Sequence, residues 1–203
     1  MQVFDLNLTL NRTDLFAVIK KLREKGELRR DLVVSFGLAL MTGLGAQVRI
    51  PLPFSPVPVT GQVFVVLAIG FIFGKRLGVI SQIVYTGLGG LGLPWFAGLA
   101  GGVSVLAGPT GGYVLGFLPA VYLVGWLSER VNPERLDMKF IVGVVGLAAI
   151  YCSGLAQLSL SLNIGLAKAV RLGVVPFVWI DLMKLLVLTI LIKGLDSGGK
   201  LTN

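Results

Sequence analysis

Long stretches without a single charge divide this chain. None occurs between Arg49 and Lys75, between Leu77 and Ser128, or between Phe140 and Ala167. About 20 apolar residues carry a helix across a bilayer. In hydrocarbon, every backbone polar group must be satisfied within the segment or by protein around it. These runs fix the class as an all-α integral membrane protein of one domain. Composition agrees: the 203 residues are 55% hydrophobic and 14% charged, against about 25% charged in a soluble domain. Mean hydropathy is +0.87.

The apolar runs predict six transmembrane helices, over residues 32–50, 60–74, 76–91, 112–127, 140–162 and 174–192. The second and third are short, and tilt or share one helical hairpin. Cytoplasmic loops carry an excess of Lys and Arg. Arg12, Lys20, Lys21, Arg23, Lys25, Arg29 and Arg30 all precede the first span, so the N-terminus is expected inside. Lys75, Arg76, Arg130, Arg135, Lys139, Lys193 and Lys200 then share that side, leaving Arg49, Lys168 and Arg171 outside. An even number of spans returns the C-terminus to the cytoplasm. The expected organisation is a basic amphipathic segment over 1–31, a six-helix membrane domain over 32–193 and a cytoplasmic tail over 194–203.

Residues 13–30 read as a basic amphipathic helix with Leu15, Phe16, Ile19 and Leu22 on one side, suited to the inner leaflet or serving only to set topology. No apolar run followed by a small-residue cleavage site is visible ahead of residue 32. The net charge of +8 follows from cytoplasmic loop placement and does not point to nucleic acid.

The chain has no His and one Cys. That removes His-based proton chemistry, zinc and haem ligation, and internal disulfides. No metal, cofactor or catalytic residue is expected, and Cys152 reads as a small packing residue. No G-x-x-x-x-G-K-[ST] string is present, so any energy for transport comes from partners or a gradient.

Asp181 and Lys184 lie inside the apolar run over 174–192, and Asp181 is the only carboxylate within an expected span. A charge near the bilayer centre costs about 2.5–3.5 kcal/mol on insertion scales. Spacing i,i+3 puts both on one helix face. The pair is a structural ion pair or equipment for a polar ligand; such residues are functional by default.

Two connections expected on the outside are unusual. Residues 50–60 hold four prolines, which forbid a helix and favour extended chain. Residues 87–112 hold ten glycines and two prolines. Both are apolar, and non-helical backbone at membrane depth persists only where it is buried or lines a cavity. Both are expected to fold over the outer mouth of the bundle. Their glycines allow close backbone approach, with Gly101, Gly102, Gly111 and Gly112 as candidate N–H donors. Trp95, Phe96 and Tyr113 are candidate apolar walls; Gln62, Thr60 and Ser55 are candidate polar contacts. Ser35, Ala39 and Gly43 make a small-residue stripe for a neighbouring helix, of this chain or of a partner.

Four strings occur in order: residues 51–62 (PLPFSPVPVTGQ), 90–98 (GLGLPWFAG), 108–117 (GPTGGYVLGF) and 181–184 (DLMK). Together they resemble the BioY family, the biotin-binding subunits of energy-coupling-factor (ECF) transporters, over roughly residues 32–192. The resemblance implies a six-helix substrate-binding (S) component in the plasma membrane that captures biotin from outside. It implies partners: one ECF transmembrane subunit and ATP-binding subunits. It implies that the first outer loop closes over the ligand, and that Asp181, Lys184 and Tyr113 contact it. Gln62, Trp95, Phe96 and Gly98 complete the expected site, with Gly98 standing where many members carry Asn. The stripe Ser35, Ala39 and Gly43 becomes the expected docking surface for the transmembrane partner, with Gly43 in place of the usual Ala. A stand-alone biotin facilitator, as monomer or homo-oligomer, and an S component for another vitamin are the alternatives. An intramembrane enzyme is disfavoured by the absence of His, paired membrane carboxylates and an activated nucleophile.

Overall fold

The computed structural model describes residues 12–23, 28–132 and 135–196. Helices dominate: α1 (Arg12–Arg23), α2 (Leu28–Gln47), α3 (Gln62–Gly90), α4 (Val103–Ala107), α5 (Gly111–Ser128), α6 (Leu136–Leu162), α7 (Leu166–Gly173) and α8 (Val178–Asp196). The departure from an all-α fold is an antiparallel hairpin of β1 (Arg49–Leu52) and β2 (Ser55–Thr60). The prolines of this segment exclude helix, as expected, and the extended chain pairs with itself. Register runs Arg49 to Thr60, Ile50 to Val59 and Leu52 to Ser55, with an irregularity between Ile50 and Leu52. Val57 and Val59 are buried beneath the hairpin, the period of two that a strand dictates.

α3 is continuous along the chain but not straight. Gly74 has φ 74° and ψ 178°, a region essentially restricted to glycine. Gln62 Nε2 donates to the Tyr85 hydroxyl across 2.8 Å. In a straight helix, positions 23 apart would stand about 34 Å apart. The two halves therefore fold back on each other about Gly74, the helical hairpin that the short second and third apolar runs suggest.

α3 packs most extensively on α5, α5 on α6, and α2 on α3. Small residues set these distances. A Cβ added to Gly70 would lie 2.9 Å from Val124 Cγ1, and one added to Gly146 would lie 2.5 Å from Val124 Cγ2. Val124 is wedged between α3 and α6 and is fully buried.

Polarity is arranged for lipid. Large apolar side chains such as Val33, Leu40 and Leu44 on α2, and Trp179, Met183 and Val187 on α8, are exposed. Ser35, Thr42, Ser81, Gln82 and Thr189 are buried. Gln82 Nε2 donates to Thr42 Oγ1 at 3.2 Å, cross-linking α2 and α3. An apolar surface of this extent marks a membrane-facing exterior. By length and composition, three helices (α3, α5 and α6) can cross a membrane, or four if α7 and α8 form one span bent by 51°. The protein is a multi-pass membrane protein.

Three expectations shift. α2 starts at Leu28, inside the segment expected to precede the first span, and brings Asp31 into the fold, where it is buried and paired with Arg76 and Arg30. The run over 174–192 is not one helix. Pro176 falls in the turn between α7 and α8, so Asp181 stands in the first turn of α8 rather than near the middle of a span. Cys152 is exposed, not packed. Ile19 of α1 is buried against Ile72 and Leu195, so this helix docks on the end of the bundle that carries the Gly74 turn. The side chains of Leu15 and Phe16, with Lys25 and residues 197–203, lie outside the described residues.

Gly74→Ala is expected to cost about 1–3 kcal/mol, because Ala cannot adopt this conformation without strain. The thermal unfolding midpoint of the purified protein should fall by several degrees. An unchanged midpoint would show that the turn does not need glycine.

Candidate functional site

A cavity of about 360 Å³ lies beneath the β-hairpin, at the small end of the roughly 300–1,000 Å³ usual for ligand pockets. Residues 56–60 form one wall, and Phe96, Ala97 and residues 108–110 of the long loop form another. Tyr113, Val114 and Phe117 of α5, Ile150 and Tyr151 of α6, Phe177 and Asp181 complete it. The walls are mainly apolar. Asp181 is the one carboxylate and Arg49 the one cation among the described lining residues.

The turn over 174–177 builds the position of Asp181. Its backbone N–H donates to the Phe177 carbonyl at 2.9 Å, which starts α8. A negative charge in the first turn is favoured by the partial positive charge at a helix N-terminus. Asp181 is 5% exposed. The Tyr151 hydroxyl donates to Oδ2 at 2.7 Å, and Lys184 Nζ donates to Oδ1 at 2.9 Å. A carboxylate offers about four acceptor sites, so each oxygen keeps one for a donor from the cavity. Lys184 also donates to the Thr60 carbonyl at 2.8 Å. One ammonium thus fixes the buried carboxylate and the end of β2 together.

Other side chains hold the roof and loops. Ser55 Oγ donates to the Leu172 carbonyl at 2.7 Å, latching the hairpin to α7. Gln47 Nε2 donates to the carbonyls of Trp95 and Phe96, while its Oε1 accepts from the Leu99 N–H. Gln157 Nε2 donates to the carbonyls of Leu106 and Gly108. The loop over 91–110 is therefore tied to α2 and α6 through two glutamines.

Of the side chains singled out in the sequence as ligand contacts, Asp181, Gln62, Thr60, Tyr113 and Phe96 line the cavity, while Lys184, Ser55, Trp95 and Gly98 do not. Lys184 acts behind Asp181. Trp95 is structural: its indole N–H donates to the Tyr85 carbonyl at 2.9 Å, and its ring packs on Tyr85. Tyr113 presents a ring wall, but its hydroxyl donates to the Gly173 carbonyl at 2.9 Å. Gln62 gives its amide N–H to Tyr85, and its Oε1 makes no hydrogen bond among the described residues. The N–H groups of Gly102 and Gly111 are already bonded, to the carbonyls of Gly89 and Gly108.

Ser35, Ala39 and Gly43 are buried inside the subunit. Ser35 Oγ donates to the Leu77 carbonyl, and a Cβ on Gly43 would lie 3.1 Å from Trp95 Cβ. In this structure they face the inside of the subunit rather than an open docking surface. The stripe is an internal seam, because its small side chains let α2 approach α3 and the Trp95 loop. Tyr151 and Arg49 were not singled out. A lone Tyr in an apolar helix carries no distinguishing pattern, and Arg49 reads as a flanking charge.

The fold is a membrane-embedded helical bundle with a roofed, mainly apolar cavity and a single oriented carboxylate among its lining residues. The chain belongs to the BioY family, whose family model matches residues 18–199. It is 40% identical over 158 residues to the "Biotin transporter BioY" of Thermotoga maritima, covering 78% of this chain and 90% of the relative. It is 36% identical over 158 residues to the "Probable biotin transporter BioY" of Pyrococcus horikoshii, covering 78% and 91%. Its fold matches the crystal structure of the S-component for biotin from an ECF-type ABC transporter, with TM-score 0.75 at 24% identity, over 83% of this chain and 91% of that one.

Lys184→Met leaves a buried carboxylate without its cation and frees the end of β2. Breaking such a pair costs about 3–5 kcal/mol. The unfolding midpoint should drop clearly, and adding Asp181→Asn should recover part of the loss. A double variant no more stable than Lys184→Met would show that the pair is not the stabilising unit.

Proposed function

We propose that this chain is the biotin-binding membrane subunit of a multi-subunit importer. It captures biotin at the outer face and delivers it inward together with an ECF energising module of a transmembrane partner and ATPases. Six spans carry the site: α2, the two halves of α3 counted separately, α5, α6 and the bent α7–α8 pair counted as one. Both termini lie on the cytoplasmic side, where the basic residues flanking the Gly74 turn also lie. The β-hairpin and the 91–110 loop cap the ligand from outside.

The observation that carries this reading is the oriented carboxylate in an apolar cavity, in a chain of the BioY family. Biotin has a ureido ring with two N–H donors and a carbonyl, an apolar thioether ring and an acidic tail. Asp181, held by Tyr151 and Lys184, accepts from one or both ureido N–H groups. The unused Gln62 Oε1 supplies a second acceptor. Phe96, Tyr113, Phe117 and Phe177 enclose the apolar part. Charge-assisted hydrogen bonds in a dry site are the strong ones. Transport itself needs no reaction on the ligand, so no chemistry beyond binding and release is assigned to these residues.

Equilibrium binding of labelled biotin to the purified protein in detergent tests this. Wild type should bind, and Asp181→Asn should weaken binding by about 10- to 100-fold, the range for losing a hydrogen bond to a charged group. Folded wild type that ignores biotin but binds another vitamin would overturn the ligand. Full binding by Asp181→Asn would overturn the site.

A further inference from the structure

The cavity has a second charged group that the reading above leaves unused. Arg49 opens β1, directly opposite Thr60 in the hairpin, and lines the cavity from the roof. Its side chain makes no hydrogen bond or ion pair among the described residues. Its backbone is held by the ladder while its side chain remains uncommitted. Asp181 is buried and Arg49 is exposed, so the carboxylate lies on the floor of the cavity and the guanidinium at its mouth.

Gly98 explains where the guanidinium rests. A Cβ added to Gly98 would lie 2.6 Å from Arg49 Cζ and 3.1 Å from Nη2. The guanidinium thus occupies the space that a side chain at 98 would fill. Gly98 also has φ 80°, which favours glycine and tolerates Asn better than branched residues. Glycine at this position leaves room for the guanidinium beside the loop, with no donor spent on a protein partner among the described residues. A guanidinium offers five N–H donors in a fork that matches a carboxylate.

We infer that Arg49, seated against Gly98, is the residue that recognises the carboxylate tail of the ligand and makes the site selective for a free acid. This rests on the proposed reading of the ligand as biotin. The cavity is then polarised: an anion on the floor accepts from the neutral head, and a cation at the mouth receives the anionic tail. The same polarity opposes entry in the reverse orientation, because a carboxylate tail placed at Asp181 would meet a like charge. A ligand whose tail is an ester or amide keeps the head contacts and loses the charged one.

The test compares binding of biotin and biotin methyl ester to wild type, Arg49→Gln, Arg49→Lys and Gly98→Ala, all purified in detergent. Wild type should prefer the free acid by about tenfold or more, the scale of one charged hydrogen-bonding contact. Arg49→Gln should lose that preference by weakening acid binding alone, with ester binding changed less than about twofold. Arg49→Lys should keep part of the preference, since it retains charge but not the fork. Gly98→Ala should reduce acid binding in the Arg49 background and have little further effect in Arg49→Gln, as residues acting through one contact are non-additive. An Arg49→Gln protein that still prefers the acid, or that loses acid and ester equally, would overturn the role of Arg49. Wild type that binds neither molecule would instead overturn biotin as the ligand, and this inference with it.

Discussion

One ammonium group ties the floor of the cavity to its roof. Lys184 donates to Asp181 Oδ1 and to the Thr60 carbonyl, so it bonds both the carboxylate on the cavity floor and the strand that forms the roof. Without it, a buried carboxylate is left short of a counter-charge and the hairpin is left short of an anchor. The cost of placing these charges in an apolar environment is offset by mutual pairing and by the Tyr151 hydroxyl. The arrangement presents an acceptor with a fixed direction, which is what a ligand bearing N–H donors requires.

The rest of the fold serves that node. Gly74 reverses α3 so that Gln62 and Tyr85 meet at the end of the bundle that holds the cavity. Small residues at helix crossings bring α3, α5 and α6 close enough for Tyr151 of α6 to reach Asp181 of α8. The two glutamines, Gln47 and Gln157, donate to carbonyls of the glycine-rich loop and tie it to α2 and α6. Ser55 latches the hairpin to α7. Roof, loop and floor are joined mostly by side chain–backbone bonds, which can break one at a time and suit elements that open and close over a ligand.

Much of this was legible in the sequence, and the misses have physical reasons. Charge-free runs gave the membrane class, and the i,i+3 spacing of Asp181 and Lys184 gave their pairing. The prolines of 51–58 excluded a helix but carried no sign that the chain would pair with itself, since pairing depends on long-range geometry. Pro176 breaks the last apolar run, and that break puts Asp181 at a helix start. A stripe of small residues looks the same whether the helix it meets belongs to this chain or another, and here the seam is internal. Tyr151 lies 30 positions from its partner, so neither residue points to the other along the chain. Lys184 was correctly linked to Asp181 but sits behind it, because its reach to Thr60 depends on where the hairpin folds.

The central claim is that biotin is captured on the floor at Asp181 beneath a hairpin tethered by Lys184. Amide hydrogen exchange of the purified protein, with and without saturating biotin, tests it most directly. Protection should increase across residues 49–60 and the 91–110 loop, and at the start of α8. It should be unchanged in α1 and around the Gly74 turn at the other end of the bundle. Protection confined to the Gly74 end, or none on the hairpin despite measurable binding, would contradict the account.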